Sequence, residues 1–343
     1  MTLTRRHALA LAGAAVATPA VMRTAWGQAP QVTLRLHHFL PPVSNAHQRF
    51  LLPWSRQVQA ASGGRIKIDI FPSMQLGGAP PQLFDQARDG VADIVWTLPG
   101  NTPGRFPDNT VTNLPLIIGN ALEGSLAVWS MYEKGLLRGY DDIVPLGLFT
   151  GPPMVLMSTR AMPDLASLAG RKSTASTDLQ HKIMGTLGAA PVTEFGFANS
   201  AEALARGSLD IDLINFTASV SFKQMEVAKH AMIVPIGPST LMVAMNKESY
   251  ARLSPAAKAV IDRNKGLPLV KLWAEAVANR EEEVRAKWRS EADRSYAELS
   301  PADKATAETA LAPVVKAWEA SNPNGTTLVK TLREEVAKAR AAR

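Results

Sequence analysis

No cysteine occurs among the 343 residues, which excludes thiolate-held metals, iron–sulfur clusters, cysteine nucleophiles and a disulfide framework. The sequence also lacks a Gly-x-Ser-x-Gly elbow, a His-Glu-x-x-His helix and a phosphate-cradling glycine loop, so it offers no nucleophile–base set and an enzyme is not expected. Ser125 and Ser208 stand near glycine, but neither context makes a nucleophile turn. His37, His38 and His47 form the one histidine group. Adjacent strand residues face opposite ways and no third ligand follows at a metal-binding interval, so neither a metal nor a cofactor is expected. Charge of one sign is also scarce. The formal net charge is +7; Arg5, Arg6 and Arg23 supply three of it with no acidic residue before Pro30, leaving +4 beyond. These positives are scattered rather than clustered, which gives no footprint for nucleic acid. Long apolar runs are missing too: residues 8–21 fall short of the ~20 that a permanent span needs.

What is present begins with that same run. Arg5-Arg6 ahead of residues 8–21, with small residues at Ala25, Gly27 and Ala29, reads as an export signal over 1–29, cleaved near 27–29. The arginine pair suits the twin-arginine route into the periplasm, and a Sec signal is the alternative. Beyond it, a chain of 46% hydrophobic and 20% charged residues exceeds the ~250 residues that one core usually serves, so two domains are expected.

Residues 65–107 carry the clearest local signal. Ile66, Ile68 and Ile70 alternate with Lys67, Asp69 and Phe71, the period of a strand, and Pro72 ends it. Gly77-Gly78 permit a turn, Pro80-Pro81 suit a helix start, Gly90 suits its end, and 92–97 reads as a buried strand. Such a unit crosses to a parallel neighbour, and the loops 74–78 and 98–103 beyond the strand ends are expected to face a ligand. Farther on, 143–158 and 232–245 are extended runs broken midway by Gly151-Pro152 and Gly237-Pro238. Two strands too long for one sheet predict a paired hinge between domains. Between them, 160–230 can form a small α/β unit. Phe50, Trp54 and Val58 recur at helical spacing, with Pro53 predicting a kink or a fresh first turn. Pro268 opens a helix expected to run to about 299 and to lie across both domains. Its apolar face holds Leu269, Trp273 and Val277, with Glu281–Arg285 and Glu283–Lys287 as solvent-side pairs. The division follows: 30–150 with about 238–275 as a first lobe, and 151–237 with about 276–343 as a second lobe and closing helices.

Several strings, in this order, carry a family resemblance: HHFLPPVSNAH, GGRIKIDIFPSMQLGG, RDGVADIVWTLPGNTPGRFP, DLASLAGRK, LGAAPV, RGSLDIDLINFTASVSFK and MNKESYARLSPAAKAVI. Together they resemble the extracytoplasmic solute receptors of tripartite ATP-independent periplasmic (TRAP) transporters. The resemblance implies an α/β, two-lobed periplasmic binding protein with a strand hinge and a long C-terminal helix spanning both lobes. It also implies one small organic ligand between the lobes and the integral membrane permease subunits as partners; a monomer is expected. A receptor serving a sensor kinase, or an exported enzyme on the same scaffold, are the alternatives.

One departure bears on the ligand. Members of the family carry an arginine that clamps a ligand carboxylate, and the matching string here, Leu168 to Thr174, puts Thr174 at that place. Enclosing a carboxylate without a counter-charge costs several kcal/mol. Either the ligand is neutral or aromatic rather than a simple carboxylate, or a cation arrives from His37, His38, Arg105, Arg171 or Lys172. The candidate ligand-binding residues are His38, Phe39, Trp96, Asn101, Phe149, Thr150, Thr174, Asn215 and Phe216: aromatics at strand ends that can sandwich a planar ligand, and polar side chains that can hydrogen-bond it. Core packing is the competing role for each aromatic. Asp210 and Asp212 share a strand face and are expected to meet basic neighbours.

Overall fold

The computed structural model describes residues 31–102 and 104–342. The expected export signal over 1–29, and Pro103 of the 98–103 loop, lie outside them.

Alternating apolar residues build a first parallel trio. β1 (Val32–His38), β2 (Ile66–Phe71) and β3 (Ile94–Thr97) run the same way, with β1 in the centre pairing Leu34 to Ile68 and Leu36 to both Ile70 and Ile94. The crossover from β2 therefore passes over β1 and does not reach an adjacent strand. Its helix, Leu83–Arg88, buries Leu83, Phe84 and Ala87, and Gly90 closes it at φ 75°. The loop after β2 folds back on β1, Ser73 N–H donating to the Leu40 carbonyl and Met74 N–H to that of His38. It thus clasps the strand end and does not line the ligand cavity described below.

The two broken runs cross side by side. β4 (Ile143–Thr150) continues into β5 (Val155–Ser158), and β9 (His230–Ile233) into β10 (Thr240–Asn246). β10 pairs antiparallel with β4 and β3 in a sheet ordered β2-β1-β3-β10-β4, while β9 pairs antiparallel with β5 in a second sheet. Glycine and proline at 151–153 and 235–238 interrupt both ladders at the same level, where neither sheet can claim the chain. The unit between the crossings supplies β6 (Lys172–Ser173), β7 (Ala190–Pro191) and β8 (Asp212–Ile214), the last pairing with β5.

Pro53 is the second residue of the helix Leu52–Ala61, which runs on directly from a π-wound stretch His47–Leu51, so the winding is irregular just ahead of the residue that lacks an N–H. The long helix spans Leu267–Ser290 and touches β4 and the helix Ala121–Glu133 on one side and β11 (Ser295–Glu298) with the helix Phe216–Ser221 on the other. It is shorter than its sequence suggests because β9 leaves a free ladder: Ser295–Glu298 pairs parallel with it, completing the order β11-β9-β5-β8. Trp288 pins this turn by donating its indole N–H to the Ser295 carbonyl at 2.9 Å. The last helix, Gly325–Ala341, buries Leu328, Val329, Leu332 and Val336 and packs on Ala121–Glu133, so it covers the first lobe although it follows the second in sequence. Among the described residues no helix is long and apolar enough to cross a membrane.

Candidate ligand-binding site

Where the crossings bring the two sheets together, a cavity of about 90 Å³ opens. One water needs ~10–15 Å³ of such space, so it holds a few waters or one small organic molecule. Phe39, Trp96 and Leu98, from the ends of β1 and β3, form one wall, and Asn215, Thr217 and Phe222, beyond β8, form the opposite one. Trp273 of the long helix closes the floor, and Phe197 closes the side. Phe39 lies 5.5 Å from Trp96 and 6.4 Å from Phe222 between ring centroids, and Phe222 stacks on Phe197 at 5.4 Å. Among the described residues, none that lines this cavity is Lys, Arg, His, Asp or Glu.

The candidate residues divide into three groups. Phe39, Trp96 and Asn215 line the cavity. Asn101 and Thr174 line an adjoining recess of about 170 Å³ together with Phe197, which borders both spaces. There Thr174 is committed inward: its hydroxyl donates to the Asp212 carboxylate, which also accepts from Ser200 Oγ at 2.7 Å. Burial pushes the Asp212 carboxyl above its usual range, against the lowering effect of those hydroxyls. Asp210, by contrast, pairs with Arg160. The third group lies behind the wall. Phe149 is buried, stacked 4.8 Å from Trp273, and the Thr150 carbonyl accepts the Trp273 indole N–H at 2.7 Å. Both orient Trp273 rather than line the cavity. Phe216 is 0% exposed and packs against Trp288 on the far side of its helix.

His38 is also a support. Leu40 N–H donates to its Nδ1 at 3.1 Å, so its proton sits on Nε2, which donates to His47 Nδ1 at 2.9 Å. Neighbouring His37 donates from Nδ1 to Gln86 Oε1 and accepts Leu76 N–H at Nε2. Burial, then the proximity of His47 and His37, lowers the His38 pKa to about 3 from 6.5. The unfolded chain therefore takes up a proton that the folded one refuses. The stability this contributes is complete above pH 6.5 and is lost as pH falls towards about 3. We expect a loss of about 2 kcal/mol between pH 7 and pH 5, read as a falling melting temperature, with His38→Gln flattening the slope. An unchanged slope in the variant would place the titration elsewhere.

Sequence reasoning passed over Asn45, Trp273, Phe197, Phe222 and Ser239, all of which line the cavity. It also misplaced Glu281. That side chain faces inward, not solvent: its carboxylate accepts the backbone N–H groups of Phe216 and Thr217 at 3.2 and 2.8 Å, and the Thr217 hydroxyl at 2.8 Å. It thereby caps the short helix that presents Asn215 and Thr217. Burial raises its pKa, with these hydrogen bonds opposing. Glu283 instead meets Arg49 and Arg280.

Comparison with known proteins agrees with this layout. The family described as "Bacterial extracellular solute-binding protein, family 7" matches residues 36–322. A marine metagenome TRAP solute-binding protein from an unidentified microbe, described as specific for aromatic acid ligands and solved with 3-hydroxybenzoate, is 34% identical. That match covers 91% of this chain and 99% of the other, with a TM-score of 0.85. A TRAP solute-binding protein from Rhodoferax ferrireducens T118, solved with copurified benzoate, is 31% identical over 91% of this chain and 99% of its own, with a TM-score of 0.85. The "Outer membrane transporter protein TsaT" of Comamonas testosteroni is 26% identical over 85% of this chain and 86% of its own.

Proposed function

From a chain that belongs to the family 7 bacterial extracellular solute-binding proteins, and within it to the TRAP receptors, we propose a receptor for a small aromatic solute. The protein is a solute receptor, not an enzyme: it binds an organic molecule between two lobes and works with a TRAP membrane permease. Family members act in the periplasm, and we place this chain there as a monomer exported by the twin-arginine route, with Arg5-Arg6 as its signal. The lobes are read as 30–150 with about 238–275, and 151–237 with about 276–343. The distribution of strands supports that division, apart from the last helix, which packs on the first lobe.

The observation that carries the ligand class is the cavity wall. Phe39, Trp96, Phe197, Phe222 and Trp273 surround a space with room for about one ring. Two relatives above 30% identity were solved with benzoate and 3-hydroxybenzoate. Contacts from both lobes favour the closed arrangement, so binding shifts the population about the paired crossings. Denaturing the purified protein and identifying by mass spectrometry what it carried tests this, with an aromatic compound expected and a sugar or aliphatic acid counting against it. Phe222→Ala should weaken that compound's binding at least tenfold, about 1.4 kcal/mol, while moving the unliganded melting temperature little, because the ring is only partly buried. Unaltered affinity would remove Phe222 from the site.

A further inference from the structure

We propose that the aromatic ligand carries an uncharged polar group offering both a hydrogen-bond donor and an acceptor, a carboxamide or its equivalent, and not a carboxylate. The inference rests on the aromatic reading above and adds the charge class of the ligand.

Three observations carry it. The first is electrostatic. Where the family resemblance calls for a guanidinium there is Thr174, already bound to Asp212. None of the cations that might have replaced it lines the cavity. Arg105 pairs with Asp142 at 2.7 Å, Arg171 donates to the Ala161 carbonyl, and the His37 and His38 rings are engaged with Gln86 and His47. The nearest ionisable side chains are acids and not bases: Asp212, at the adjoining recess, accepts from the Thr174 hydroxyl, and Glu281, behind the lining, accepts from that of Thr217. An enclosed ligand carboxylate would find no cation among the residues that line the cavity.

The second observation removes the other usual way to hold an anion. The short helix at the cavity, Phe216–Ser221, directs its N-terminal end towards the binding region, but its first N–H groups are spent. Phe216 and Thr217 donate to Glu281, and Ala218 donates to Asn215 Oδ1 at 2.8 Å. No unsatisfied backbone donor is left there for a ligand oxygen.

The third is the set of polar atoms left over. On residues lining the cavity, Trp96 Nε1, Ser239 Oγ and Asn45 Oδ1 are buried without a hydrogen-bond partner among the described residues. Buried polar groups are ordinarily paired, so each marks a contact that something else completes. Trp96 can only donate. The Asn45 amide is oriented by its Nδ2, which donates to the Ala276 carbonyl at 3.1 Å; a carbonyl cannot accept from Oδ1, so the amide cannot flip and the free atom is an acceptor. A carboxylate has nothing to donate to it. A carboxamide has an oxygen for the indole and an N–H for Asn45.

Matched acids and amides of one shape test this. Protein freed of bound molecules by unfolding and refolding is titrated calorimetrically with benzoate against benzamide, and with 3-hydroxybenzoate against 3-hydroxybenzamide. The amide is expected to bind at least tenfold tighter in at least one pair. Trp96→Phe, which removes an N–H that the unliganded protein does not use, should weaken that amide at least fivefold without lowering the unliganded melting temperature by more than a few degrees. An acid equal to or tighter than its amide in both pairs overturns the inference and leaves the aromatic reading standing, as does an amide indifferent to Trp96→Phe. If no member of either pair binds, the aromatic reading fails and this inference with it.

Discussion

Truncating Phe216 to alanine is expected to destabilise the unliganded protein by about 3–5 kcal/mol. The ring is 0% exposed, lies 5.7 Å from Trp288 at 62° and 6.2 Å from Tyr296 at 16°, and shares its cluster with Val155, Met157, Ile214 and Met225. The cluster is small and stands apart from the main core, which runs through the first sheet and the long helix. Little neighbouring material can therefore collapse into the hole. Urea unfolding followed by tryptophan fluorescence gives the number directly, since Trp288 is the ring's main partner. A loss under about 1 kcal/mol would mean that the side chain does not sit in this cluster. The same change should weaken ligand binding only secondarily, through the seat of Thr217.

Gly237→Ala is expected to be of similar severity, for an opposite reason. A Cβ built there would stand 2.1 Å from the Thr112 carbonyl oxygen and 2.7 Å from that of Leu114. Both atoms belong to backbone and cannot rotate away. The crossing strand would have to move off the 109–114 segment, which also loses the Asn113 amide bond to Pro238 and the Gln180 bond to the Gly237 carbonyl. Overpacking of this kind, with broken buried hydrogen bonds, costs on the order of 3–5 kcal/mol. Gly151→Ala on the partner crossing is the control. Its nearest foreign atom is Asn215 Nδ2 at 3.4 Å, ordinary contact, so the fold should tolerate it. Equal melting temperatures for the two variants would contradict the close approach at Gly237.

These expectations also mark what the sequence discloses. Strands with a local period were legible: Ile66, Ile68 and Ile70 announce β2, and the Gly-Pro breaks at 151 and 237 announce two crossings, because each signal lies within a few residues. The site was legible where a residue ends a strand, as Phe39 and Trp96 do. It was hidden where the cause is distant in sequence. Glu281 and Arg285 have the spacing of a surface pair, and only the approach of Phe216–Ser221 turns the carboxylate inward. Phe216 and Asn215 are adjacent, and the helix start between them sends one to the core and the other to the cavity. Ser295–Glu298 looked helical until β9 offered it a ladder. Asn45 acquires its fixed orientation from Ala276, which is 231 positions away.

The strand order carries a consequence for how the chain is made. β10 is wedged between β3 and β4, so the first sheet stays in two pieces until residue 246 has left the ribosome. The second waits still longer, for β11 at Ser295–Glu298 to take its edge. Neither half can be excised as one uninterrupted fragment, and most of the nascent polypeptide must emerge before either of the two large sheets is finished. That is the slow, non-local assembly that high contact order brings.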